Sequence, residues 1–107
     1  MPKYLFRGSY SQEGIKGVMK EGGSARKAVA TALAQSVGGR LEAFYFAFGA
    51  HDFFAVADLP DNAAAVVVAA TIGASGAMSS LETVPLLTPD EADEAAKRSA
   101  SYRAPGA

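Results

Sequence analysis

The sequence predicts an α+β domain in which two main helices lie on one face of a four-stranded antiparallel sheet. Three observations carry that expectation. Segments rich in aromatic and β-branched residues occur at four places, residues 3–9, 40–48, 52–58 and 80–87, and read as strands. Stretches with helical apolar spacing separate the first segment from the second and the third from the fourth. Only "GAH" separates the second from the third, which leaves room for a hairpin and nothing else. The order β-α-β-β-α-β is the ferredoxin-like split βαβ plan, and right-handed crossovers then place both helices on the same side of the sheet.

Each element has its own signals. After the first strand, Ser11 suits an N-cap and Glu13 the first turn of a helix ending before Gly22-Gly23. Ile15, Val18 and Met19 are its apolar stripe. Gly14 and Gly17 each weaken that helix by about 1 kcal/mol relative to alanine, which points to close approach by a neighbour. Ser24 is the expected cap of the next helix, whose stripe runs Ala25, Ala28, Val29, Ala32, Leu33 and Val37. Gly38 fits a left-handed C-cap. In the hairpin, Gly49 is expected to supply positive φ and Asp52 to bond the turn backbone. Leu59-Pro60-Asp61-Asn62 stops the third strand and starts an Ala/Val-rich helix. Pro85 marks the last strand as a sheet edge. "TPDE" at 88–91 starts an extra C-terminal helix, with Thr88 as N-cap, Pro89 at the first position and Glu91 closing a capping box. Residues 1–98 form a single domain and residues 99–107 a flexible tail.

Composition excludes several functions. The chain of 107 residues carries ten basic and eleven acidic side chains and no cysteine. No basic run is present to neutralise phosphates, so nucleic acid is not an expected partner. Without cysteine there is no disulfide framework, thiolate nucleophile or Cys-type metal site. The apolar run at 63–70 falls short of the about twenty residues a membrane span needs. The start, "MPKYLFRGSY", has no apolar stretch of the signal-peptide kind. The expectation is a cytoplasmic protein without a membrane partner.

Strands two and three are apolar on both faces, whereas a sheet with one wet face should alternate. Leu41, Ala43, Tyr45 and Ala47 are expected on one side of strand two, with Phe44, Phe46 and Phe48 on the other. Covering the free face with a second copy across a two-fold axis is the economical solution. The sequence therefore predicts a homodimer.

The stretches "MPKYLFRGSYSQEG", "GGRLEAFYFAFGAHD", "DLPDN" and "LLTPDEADEA" resemble, in collinear order to about residue 96, the GYD-domain family of small bacterial proteins in the dimeric α/β-barrel group. Gly49 and Asp52 fit the Gly, Tyr, Asp pattern at the hairpin, and His51 occupies the tyrosine position. The wider group includes cofactor-free monooxygenases, lactone isomerases, haem-degrading and haem-binding enzymes, and ligand-sensing domains. The resemblance implies the barrel dimer and leaves the chemistry open.

Candidate site residues follow from residue type. His51, beside Asp52, has the pKa range of a general base and the ring nitrogens of a haem or metal ligand. Against this, neighbours on a strand point to opposite faces, and a hairpin turn accounts for both residues. A zinc site is disfavoured by one histidine and no cysteine. Arg7, mid-strand, is read either as an anion clamp or as one half of a salt bridge to Glu42, Glu82 or Asp58. Tyr4, Tyr10 and Tyr45 are read as cavity-lining residues with hydroxyls for a ligand, or as ordinary core tyrosines. Together they suggest a pocket between sheet and helices, gated by helix 11–21, for a small apolar or aromatic acid, with cofactor-free oxygenase or isomerase chemistry if it is catalytic. The other readings are a non-enzymatic structural or regulatory oligomer, and haem or metal binding through His51. No cofactor is expected.

Overall fold

A computed structural model describes all 107 residues. Strand β1 (Lys3–Tyr10) alternates strictly, burying Tyr4, Phe6, Gly8 and Tyr10 and turning Lys3, Leu5, Arg7 and Ser9 the other way. Strands β2 (Arg40–Phe46), β3 (Phe53–Asp58) and β4 (Met78–Leu86) complete one sheet in the order β2-β3-β1-β4, with every neighbouring pair antiparallel. This is the ferredoxin-like plan, and β4 lies at the edge where Pro85 was expected. Helices α1 (Gln12–Glu21) and α2 (Gly23–Ser36) follow β1, α3 (Asn62–Ala74) follows β3, and α4 (Pro89–Ala96) follows β4.

Several helix ends form as the sequence indicates. Ser11 caps α1, its hydroxyl accepting from the Gly14 N–H at 3.1 Å and donating to the Gly76 carbonyl at 2.7 Å. Asp61 caps α3 by accepting from the Ala64 N–H at 2.9 Å. Gly38 takes a left-handed conformation, φ 83°, after α2. Thr88, Pro89 and Glu91 form the capping box of α4. That helix buries no residue, and residues 97–107 contain neither helix nor strand. The radius of gyration, 16.9 Å, exceeds the about 13 Å of a compact chain of 100 residues, and α4 packs on no other element to a significant degree.

Other expectations are corrected. The link between β2 and β3 covers residues 47–52, longer than "GAH", and Phe48 is fully exposed. Gly49 does not adopt positive φ, because the longer loop does not need the tight reversal of a two-residue turn. A register shift between Leu41 and Ala43 inserts a bulge, which reverses side-chain parity. Leu41 therefore pairs on the same face as Phe44 and Phe46, opposite Ala43 and Tyr45. Ser24 is not a cap: Gly22, φ 92°, occupies that position without a side-chain bond. In α2 the inward residues are Arg26, Ala30, Leu33 and Ala34, followed by Val37 at the C-cap; Ala25, Ala28 and Ala32 face outward, and Val29 is half-exposed at the margin of the inward face. An alanine-rich helix offers several faces of similar apolarity, so packing against the sheet selects among them. In α1 only Gly14, Gly17 and Val18 turn inward, leaving Ile15 and Met19 exposed.

The core lies between sheet and helices. Tyr4, Phe6, Phe53, Ala55 and Ala57 meet Ala34 of α2 and Ala64, Ala65 and Val68 of α3. The opposite sheet face is uncovered. It carries Leu5, Tyr45, Phe54, Val56 and Val84, with a charged cluster at one end. There Lys3 bonds Asp58 at 2.8 Å and Glu42 at 2.9 Å, and Arg40 bonds Asp58 at 2.7 Å. The hydrogen bond from Lys3, joined by Arg40, holds the Asp58 carboxyl below its ordinary 3.8 against the opposing effect of burial.

The two glycines of α1 differ in a testable way. A Cβ on Gly14 would lie 2.0 Å from the Ala77 carbonyl oxygen, whereas one on Gly17 would meet nothing within 4 Å. Gly14→Ala should therefore lower stability by about 1–3 kcal/mol through overpacking. Gly17→Ala should raise it by up to about 1 kcal/mol through helix propensity. Urea unfolding of the two variants reads the difference; equal effects would contradict the close approach.

Candidate functional site

Small residues on facing elements leave a gap in the core. Ala55 and Ala57 of β3 lie opposite Ala30 and Ala34 of α2, and these short side chains do not fill the space between the layers. Protein interiors are close-packed, so such a void marks a place where packing was not completed from within the chain. Phe44 and Phe53 stack beside it with ring centres 6.0 Å apart, and Tyr10 tilts against Phe53 at 5.7 Å. The result is a cavity of about 80 Å³ lined by sixteen residues, of which fifteen are apolar. The exception is Arg26.

Arg26 is on this face because it precedes Ala30 by four residues and Leu33 by seven, the spacing of one helical stripe. Its only ionic partner is Glu21, at a loose 3.6 Å, and its side chain is 29% exposed. The phenol of Tyr10 is close enough to feel its charge. Burial pushes the Tyr10 hydroxyl above its ordinary 10.0, and the Arg26 cation acts in the opposite direction. The hydroxyl therefore stays protonated across the neutral range and can donate a hydrogen bond. In front of these two residues a second, more polar cleft of about 240 Å³ runs between α1 and the turn before β4, bordered by Glu13, Gly17, Glu21 and Ser75. Tyr10 and Arg26 line both spaces.

Of the residues singled out from sequence, only Tyr10 lines this cavity. Tyr4 is buried, its hydroxyl donating to Asn62 Oδ1 and tying the start of α3 to the sheet. Arg7 and Tyr45 lie on the uncovered face, because β1 alternates and the bulge fixes the parity of β2. Arg7 is paired with Glu82 across to β4, and Tyr45 is 70% exposed. Asp52 bonds its own turn through its carbonyl, which accepts from the Ala47 N–H at 2.8 Å, whereas its carboxylate accepts from the Tyr10 N–H at 2.9 Å and its N–H donates to the Gly8 carbonyl at 2.7 Å. It thus holds the end of the loop to β1. Gly49 is exposed in the same loop.

His51 stands edge-on to Phe54, ring centres 5.8 Å apart at 83°, with Nδ1 enclosed and without a hydrogen-bond partner. It does not line the cavity, and the Asp52 carboxylate is already engaged elsewhere. The expected convergence of Arg7, Tyr45 and His51 on a pocket under the helices is therefore not realised. Helix α1 contributes nothing to the cavity itself and borders only the cleft before it. Arg26 was missed because the inward stripe was read through Ala25, Ala28, Val29 and Ala32, although its spacing to Ala30, Leu33 and Val37 was readable.

The family model described as GYD domain matches residues 4–96. The chain belongs to the GYD-domain family. The match begins in β1 and runs to the end of α4. No curated protein and no solved structure matches this GYD-domain chain. The hairpin that carries the signature positions Gly49, His51 and Asp52 is thus a clasp on β1 in this member, through Asp52. This cavity, about 80 Å³, is too small for a haem, since pockets for larger ligands measure roughly 300–1,000 Å³, and His51 does not line it. No cluster of three or more His, Asp or Glu side chains gathers to hold a metal.

Proposed function

We propose that this GYD-domain chain is a homodimeric binding protein for a small, predominantly apolar molecule held between sheet and helices. The observation that carries the reading is the cavity lined by fifteen apolar residues and closed at one side by Arg26 and Tyr10. Ligand sites of this kind are concave, mostly apolar, and carry a few placed polar groups. Size narrows the ligand. An engineered apolar cavity of about 150 Å³ accepts benzene, so of the small apolar or aromatic acids expected from sequence, about 80 Å³ suits a short or branched aliphatic group better than an aromatic ring. Binding rather than turnover is the function proposed, because no acid–base pair of side chains borders the cavity.

The dimer rests on the other face. Leu5, Phe54, Val56 and Val84 stand together on the uncovered sheet, and contiguous apolar surface of this kind marks association. A second copy, packing sheet to sheet about 10 Å away, would bury it.

Two variants test the two halves separately. Ala34→Leu adds three carbons into the cavity and should leave the protein folded while abolishing ligand retention. Native mass spectrometry of gently purified wild type should show a small bound mass that this variant lacks; an empty wild type would contradict the binding reading. Leu5→Glu should give a folded monomer at micromolar concentration by light scattering, where wild type is a dimer. A monomeric wild type would contradict the association.

A further inference from the structure

The cavity ends at the same two residues where the polar cleft begins. An occupant that fills both is amphipathic, with an apolar part under the helices and a polar head at Arg26 and Tyr10. We infer that the ligand is a short aliphatic monocarboxylic acid whose carboxylate is taken by Arg26, in exchange for Glu21, and by the Tyr10 hydroxyl. This rests on the cavity being a ligand site, as proposed above.

The head group follows from the donors present. A guanidinium offers a planar fork that matches a carboxylate, and the phenol adds a hydrogen bond. No carboxylate side chain lines the cavity, and Arg26 is the one charged residue that does, so the end of the cavity favours an anionic head over a cationic one. The Arg26–Glu21 pair, 3.6 Å apart with Glu21 half-exposed, is the type of solvent-screened contact that contributes little. Breaking it costs correspondingly little, which leaves Arg26 free to take a bound carboxylate. The charge count follows from the cleft walls. Glu13 and Glu21 both border it, so a second carboxylate extending outward would meet like charge. The tail is set by volume: about 80 Å³ admits about three or four carbons, by proportion to the about 150 Å³ that accepts the six of benzene.

NMR titration of the full chain with 3-methylbutanoate, its amide and succinate tests the inference. In wild type the acid should bind at least about tenfold more tightly than the amide, the difference a charge-assisted bond supplies, and succinate should bind more weakly than the acid. In Arg26→Gln the acid should fall to the affinity of the amide, with the amide unchanged; Arg26→Lys should retain part of the preference. Acid and amide binding equally to wild type would overturn the carboxylate assignment while leaving the cavity a ligand site. Succinate binding as tightly as 3-methylbutanoate would overturn the single-charge assignment. Binding of none of the three probes to wild type would overturn both the assignment and the ligand reading beneath it.

Discussion

The two-residue alternation of β1 and β3, the inner strands of the sheet, decides where every chemically active side chain of this protein can act. Tyr4, Phe6, Gly8 and Tyr10 turn toward the helices; Lys3, Leu5, Arg7 and Ser9 turn away. Phe53, Ala55 and Ala57 join the first set, and Phe54, Val56 and Asp58 the second. A slip of one residue would exchange the two sets. The charged cluster of Lys3, Asp58 and Arg40 ties the ends of three adjacent strands together on the outer face, and the Asp52 bonds to Tyr10 and Gly8 hold the other end of the β1–β3 pair. Register is thus pinned at both ends, and everything on either face inherits its place from that.

Under the helices, the consequence is a layer with too little side-chain volume. Alanines at 55 and 57 meet alanines at 30 and 34, and the aromatic rings of Phe44, Phe53 and Tyr10 border the gap without filling it. Gly23 lets α2 sit close to the ring of Phe46, where a Cβ would come within 2.9 Å, and so sets how Arg26 is presented. On the outer face, the same alternation leaves apolar side chains between two ion-pair networks. In the proposed reading, one chain offers an inward cavity to a small molecule and an outward apolar face to its own copy, separated by the thickness of the sheet.

The strand order, the packing of both main helices on one core and the capping box at Thr88 were legible because each depends on local pattern: period-two apolar runs, glycine pairs and the T-P-D-E spacing. The candidate site was much less so. Arg7, Tyr45 and His51 were grouped by chemical type, and parity sends them to the face away from the cavity. The bulge near Glu42 is invisible in sequence because no glycine marks it, yet it reverses half of β2. In α2, alanines on several sides concealed the inward stripe, and with it the place of Arg26. Asp52 was rightly seen as a backbone anchor, but its partner is Tyr10 on a distant strand, a contact that only topology supplies.

The central claim is that ligand and partner copy use opposite faces of one sheet. Methyl-labelled NMR spectra of the protein, recorded with and without 3-methylbutanoate, test it most directly. The account predicts shifts at Leu33, Leu41 and Val68, which line the cavity, with Leu5, Val56 and Val84 unmoved. Shifts centred on Leu5, Val56 and Val84 would place the ligand on the outer face and contradict it.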